Sequence, residues 1–238
     1  MPFRLVPVIL RMVADSTLEL AVSSTAASSV AEVKPKLRGV LHVGAALAAI
    51  PATAVLVLFA RAGTPTTLAW VYGVALILVL GTSGLFHTPN WSLAARRRLQ
   101  RLDHSMIYVL IASSYAPFAY RLDELPRSVV LSVAIGGGLI GWLKVHFWSR
   151  APRMITSAIY VLIGWCMAPY FPELYASIGL EAMALLLIGG VCYTTGALIY
   201  WLRIPNPWPR TFGYHEVNHL FGLVGAVCHY IAIWSLLT

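Results

Sequence analysis

From residue 40 onward the chain alternates long apolar stretches with short polar connections. Seven stretches stand out: Val40–Ala60, Leu68–His87, Ser105–Tyr120, Val129–Phe147, Met154–Phe171, Gly179–Leu202 and Val217–Leu237. Most approach the length of about 20 residues that crosses a bilayer as a helix, the form in which every backbone N–H and C=O is satisfied within the segment. The third, at 16 residues, is the shortest and extends naturally backward through Asp103. No polar connection is long enough for a second folded domain. The pattern therefore predicts one all-α domain over residues 36–238, a bundle of seven transmembrane helices. Residues 1–35 read differently. A short apolar run broken by Pro7 and Arg11 precedes the Ser/Ala/Thr-rich stretch Ser23–Ala31, which predicts a mobile or surface-lying cytosolic tail and not a cleaved signal.

Composition agrees with the pattern. Of 238 residues 59% are hydrophobic and 11% charged, with a mean hydropathy of +0.76, whereas soluble domains carry about a quarter charged residues. The net charge of +8 could suggest nucleic acid, but its distribution argues otherwise. Segments 1–39, 88–104, 144–153 and 203–216 hold 14 of the 17 Lys and Arg, while the intervening loops hold only Arg61, Arg121 and Arg127. This alternation is the positive-inside signature; it places the N-terminus in the cytosol and the C-terminus outside, in a multi-pass protein of the cell (plasma or inner) membrane. Cys166, Cys192 and Cys228 lie within apolar stretches without CxxC spacing and read as packing residues. The glycines Gly136–Gly138, Gly141, Gly189, Gly190 and Gly196 read as small faces for close helix packing.

Topology then sets the depth of each ionisable residue. His87 arrives at the cytosolic end of the second span, with Ser83 one turn deeper on the same face. Asp103 sits where the third span starts, His42 opens the first, and His215 and His219 open the seventh. Residues far apart in sequence are thus expected in one layer. Ionisable groups at membrane depth are costly, and a metal that takes imidazole lone pairs offsets that cost. His215 and His219, at i and i+4, share a helix face about 6 Å apart and can reach one ion. His229, ten residues beyond His219, lies about 15 Å deeper and reads as a buried, hydrogen-bonded histidine. His104 and His146 read as solvated or interfacial, and Lys144, Arg150, Arg153 and Arg96–Arg98 as topology determinants that meet anionic headgroups.

Three imidazoles leave a fourth metal position open for water, the arrangement of a catalytic site. Asp103 is then expected to accept a hydrogen bond from that water, and Ser83 to bond a substrate oxygen or a developing oxyanion. Zinc is favoured over iron or copper, because the set is imidazole with no thiolate or thioether beside it.

Three motifs carry a family resemblance. Ser83-Gly-Leu-Phe-His87, then Leu102-Asp-His-Ser105 followed by Ile111-Ala-Ser-Ser-Tyr-Ala-Pro-Phe118, and finally Phe212-Gly-Tyr-His-Glu-Val-Asn-His219, resemble the signatures of hemolysin III proteins. Those are grouped with the adiponectin and progestin receptors and, more distantly, the alkaline ceramidases. The resemblance covers roughly residues 36–238 and implies a seven-helix bundle with a cytosol-proximal zinc. It implies His87, His215 and His219 as ligands, Asp103 as the aspartate near the metal-bound water and Ser83 as its neighbour. One departure is plain. The family's first helix opens with Glu and Asn ahead of its histidine, whereas Lys34-Pro-Lys-Leu-Arg38-Gly-Val-Leu-His42 has basic residues there, so His42 is expected in a supporting role.

Three functions fit. The first is an enzyme in which zinc-activated water hydrolyses an amide or ester of a membrane lipid entering from the inner leaflet. The second is a cytolytic or receptor-like membrane protein with structural zinc, although the chain has no amphipathic pore-forming segment. The third is an intramembrane zinc protease, because His215-Glu-Val-Asn-His219 fits HExxH with Glu216 as base. That reading leaves Ser83, His87 and Asp103 without roles. Glu216 is expected to point off the shared histidine face, so Glu216→Gln separates the readings: a protease would lose activity, while the hemolysin-III-type site should keep its metal.

Overall fold

A computed structural model describes residues 34–148 and 152–238, so the expected N-terminal tail and Arg150 lie outside the described residues. Among the described residues the chain forms seven α-helices and no strand. They are α1 (Val40–Phe59), α2 (Thr64–His87), α3 (Leu93–Ala119), α4 (Glu124–Phe147), α5 (Arg153–Gly164), α6 (Phe171–Leu202) and α7 (Tyr214–Leu237). Five segments are long and apolar enough to cross a membrane, one of them the continuous run Met154–Leu202. Their outward faces are apolar too: Leu47, Leu58, Ile135, Ile140, Leu162 and Leu180 are each more than 60% exposed. A water-soluble protein of this size does not expose such a surface, and lipid is the solvent that suits it.

The helices correct the expected spans at two places. α3 starts twelve residues before Ser105, after Ser92, whose hydroxyl accepts the Ala95 N–H at 3.3 Å. Arg96–Arg98 are therefore helical, on a polar extension that hydropathy does not register. The expected fifth span, Met154–Phe171, is not one helix. α5 ends at Gly164, and a 3₁₀ turn at Ala168–Tyr170 with Pro169 in its first turn leads into α6. The carbonyls freed at the break are met from α3, where the Tyr115 hydroxyl donates to Gly164 O at 2.6 Å and lies 3.1 Å from Ile163 O. Trp165 Nε1 donates to Thr194 Oγ1 on α6 at 2.9 Å. α6 is itself interrupted at Gly179, where φ is 77°, a left-handed value that glycine adopts without steric cost.

Consecutive helices pack side by side, and α7 also reaches α1, α2 and α3. The apolar core includes Leu56, Tyr72, Phe118, Leu174 and Ile233. The Tyr230 hydroxyl ties α7 to α1 through Ala52 O at 2.8 Å. The three cysteines are free and partly buried.

At the end of the bundle away from His87, all three arginines bind carbonyls that helix termini leave over. Arg61 donates its N–H to Leu237 O at 2.9 Å and Nε to Thr238 O at 3.1 Å. Arg121 donates to Leu236 O. Arg127 reaches Ala119 O, Tyr120 O and Leu122 O at 3.3, 3.2 and 2.8 Å, closing the end of α3.

Candidate metal centre

α2 ends on His87, and α7 begins one residue before His215, so both helices deliver imidazoles at their termini. The ligand atoms of His87, His215 and His219 all lie within 4.8 Å of one another, close enough that the three could hold a metal ion. His87 Nε2 and His215 Nε2 are 3.2 Å apart. Two nitrogens bound at about 2.0–2.1 Å to one tetrahedral zinc stand about 3.3–3.4 Å apart, so the spacing is compatible with shared ligation as well as with a histidine–histidine hydrogen bond. His219 Nε2 is buried and has no hydrogen-bond partner among the described residues. These two observations fit a metal with imidazole ligands.

His42, on α1, completes the geometry from behind. Its Nε2 lies 3.0 Å from His219 Nδ1, with the rings edge to face. If His219 offers its Nε2 lone pair to a metal, its Nδ1 carries the proton and donates to His42 Nε2. This is the outer-shell hydrogen bond by which metal-bound histidines are oriented.

Asp103 and Ser83 occupy the same end of the bundle. Asp103 Oδ2 is 3.8 Å from His87 Nε2, beyond hydrogen-bond reach, and the Ser83 side chain is a neighbour of the Asp103 carboxyl group. Both are buried, at 8% and 3% exposure, so neither is a solvated surface group. The structure thus gathers all five of the expected site residues. It places three others differently from expectation or adds to it. His104 is partly buried and lines the central cavity, because Tyr160 of α5 packs over it and donates to its carbonyl at 3.3 Å. His229 is hydrogen-bonded to Leu186 O at 3.2 Å, as expected, yet it lines the far part of that same cavity. Glu216 does not line it. Its carboxylate is bound by Arg38 and by the Gly213 N–H at 2.8 Å.

The cavity has a volume of about 280 Å³ and leads from the histidine cluster between α2, α3, α5, α6 and α7. Leu76, Leu80, Leu110, Phe118, Val161 and Leu187 form apolar walls. The arrangement brings three imidazoles, a carboxylate and a hydroxyl to one end of a space lined largely by apolar side chains.

Residues 30–230 match the family model described as haemolysin-III related. The chain is 30% identical over 200 residues to the hemolysin-3 homolog of Bacillus subtilis, covering 79% of this chain and 86% of that protein. It is 30% identical over 203 residues to hemolysin-3 of Bacillus cereus, covering 82% and 87%. It is also 27% identical over 181 residues to the adiponectin receptor protein of Drosophila melanogaster, covering 67% of this chain and 40% of the receptor. With its apolar helices and its three motifs in order, the chain is a multi-pass membrane protein that belongs to the haemolysin-III-related family, kin to the adiponectin receptors.

Proposed function

We propose that the chain crosses the cell membrane seven times, N-terminus in the cytosol and C-terminus outside, and uses zinc held by His87, His215 and His219 to hydrolyse an amide or ester bond of a membrane lipid. The observation that carries this reading is the junction of the histidine cluster, Asp103 and Ser83 with a cavity whose walls are largely aliphatic and aromatic. A purely structural site has no need of such a cavity or of a carboxylate beside it. Zinc, when bound, supplies Lewis acidity at that junction. The apolar walls hold the acyl chain and exclude bulk water, which directs the scissile carbonyl to the polar end. Ser83 donates a hydrogen bond to the carbonyl oxygen as it gains charge. Asp103 Oδ2 takes the proton of the attacking water and returns it to the leaving nitrogen or oxygen. The membrane lipid is both substrate and surrounding phase.

Asp103→Asn tests the reading. It is expected to retain zinc, measured by elemental analysis of detergent-purified protein, while turnover falls by about 10²-fold or more, because a proton acceptor is lost and no ligand is. Turnover is read by lipidomics of cells lacking the protein and complemented with each version. Loss of zinc along with activity would make Asp103 a ligand or a folding residue.

The names of the Bacillus relatives and of the fly receptor support a second reading, a membrane-active or receptor-like protein with structural zinc. Zinc retained in Asp103→Asn together with unchanged lipids would favour it. The protease reading has less support, since the Glu216 carboxylate is engaged by Arg38 and Gly213 and lies away from the cavity.

A further inference from the structure

The candidate ligands come from two helices whose ends must stand at a fixed separation. One short segment touches both. Residues 36–39, leading into α1, run beside residues 210–213, where Lys36 N–H donates to Arg210 O and Leu37 N–H to Thr211 O, each at 3.1 Å. The next residue, Arg38, donates Nε to Oε1 of Glu216, whose residue exposure is 1% and whose other oxygen takes the Gly213 N–H at 2.8 Å. Gly39 follows with φ 83°, and a Cβ there would stand 2.6 Å from Thr88 Oγ1 and 2.8 Å from His87 Cβ. Consecutive residues of one strap are therefore held against the end of α2 on one side and the start of α7 on the other.

We propose that Arg38, acting through Glu216, is a positioning residue of the metal centre, and that residues 36–39 form a clasp that sets the separation of His87 from His215 and His219. The proposal rests on the metal-site reading above. Its physical basis is the cost of a buried carboxylate without its cation. Removing Arg38 leaves the Glu216 charge uncompensated, and the first turn of α7 must move to expose it to water. His215 is the adjacent residue and His219 lies one turn on, so any such movement displaces two ligands together. Gly39 acts on the third, because its lack of a side chain lets the strap close onto His87. The same contacts give Glu216 a role that HExxH chemistry does not require: it fastens α7 and does not reach the cavity.

The test uses full-length protein in detergent, stripped with a chelator and titrated with Co²⁺, whose visible absorption reports coordination geometry, and with Zn²⁺ in competition. Wild type and His215→Ala serve as references. Arg38→Ala and Glu216→Gln are each expected to weaken the metal by about 10–100-fold, without abolishing binding at saturation, and to shift the Co²⁺ band. The double variant is expected to be no weaker than Arg38→Ala alone, since both changes break one interaction. Arg38→Lys is expected to recover part of the affinity. Gly39→Ala shifts the band through His87 with the ion pair intact, which keeps the test open if Arg38→Ala does not purify folded. Wild-type affinity and an unshifted band in Arg38→Ala and Glu216→Gln would overturn the clasp and leave the metal site standing. A wild-type protein that binds no metal, or binds it as His215→Ala does, would overturn the site and the clasp together.

Discussion

His219 shows how much of this site hangs on single nitrogen atoms. One of its ring nitrogens faces His42, and the other is buried without a partner among the described residues. With a metal on His219 Nε2, His42 would accept the Nδ1 proton, and His42→Ala is expected to lower zinc affinity by about 10–100-fold while stoichiometry at saturating zinc is unchanged. Competition with a chelating dye measures it; wild-type affinity would reduce His42 to a packing residue. His87, His215, His219, Asp103 and Ser83 were legible in the sequence because helical spacing and span direction together fix depth and face. The tie between Arg38 and Glu216 was not, since it joins positions 178 residues apart through a loop with no period to read. His104 was misplaced for a related reason. A helical wheel gives the face of its own helix, but not that Tyr160 on α5 would cover it.

At the scale of elements, hydropathy found where the chain is apolar and missed where helices begin and break. The start of α3 is helical and arginine-rich, so the apolar count began at Ser105 although Ser92 is the cap. In Met154–Phe171 the apolar run is continuous, yet Gly164 and Pro169 divide it. Backbone that leaves the helix at membrane depth must find partners within the protein or line a cavity, and this break does both. Gly164, Trp165 and Met167 line the cavity, and Tyr115 satisfies the carbonyl end of α5. Tyr115→Phe removes that donor while keeping the ring. It is expected to cost about 1–3 kcal/mol, read as a lower thermal midpoint in detergent, because a freed carbonyl in an apolar setting loses its hydrogen bond outright. No change in midpoint would mean that another group or water satisfies the break.

For the whole molecule, the two ends of the bundle are unlike. Among the described residues from Pro35 on, the end bearing the histidines carries 10 Lys and Arg against Asp103 and Glu216; the other carries three Arg against Asp123, Glu124, Glu173 and Glu181. This asymmetry underlies the proposed orientation. A reporter active only in the cytosol is expected to work when fused after Val33 and to fail when fused, through a flexible spacer, after Thr238; the reverse pattern would move the site to the outer leaflet. The spacer is needed because Arg61 holds the Thr238 carbonyl.

The arginine caps at the far end also have an electrical consequence. Arg61, Arg121 and Arg127 are anchored to the last carbonyls of α7 and α3, so the few positive charges there are fixed structural parts beside a small acidic excess. In the proposed orientation the basic end faces the negative side of an energised membrane. Each elementary charge carried across 100 mV is worth about 2.3 kcal/mol, so the resting voltage opposes inversion of the bundle with a force that grows with every unbalanced arginine. In that proposed orientation the membrane potential would help keep the histidine cluster on the cytosolic side, and a depolarised membrane would remove that contribution without altering a single contact in the fold.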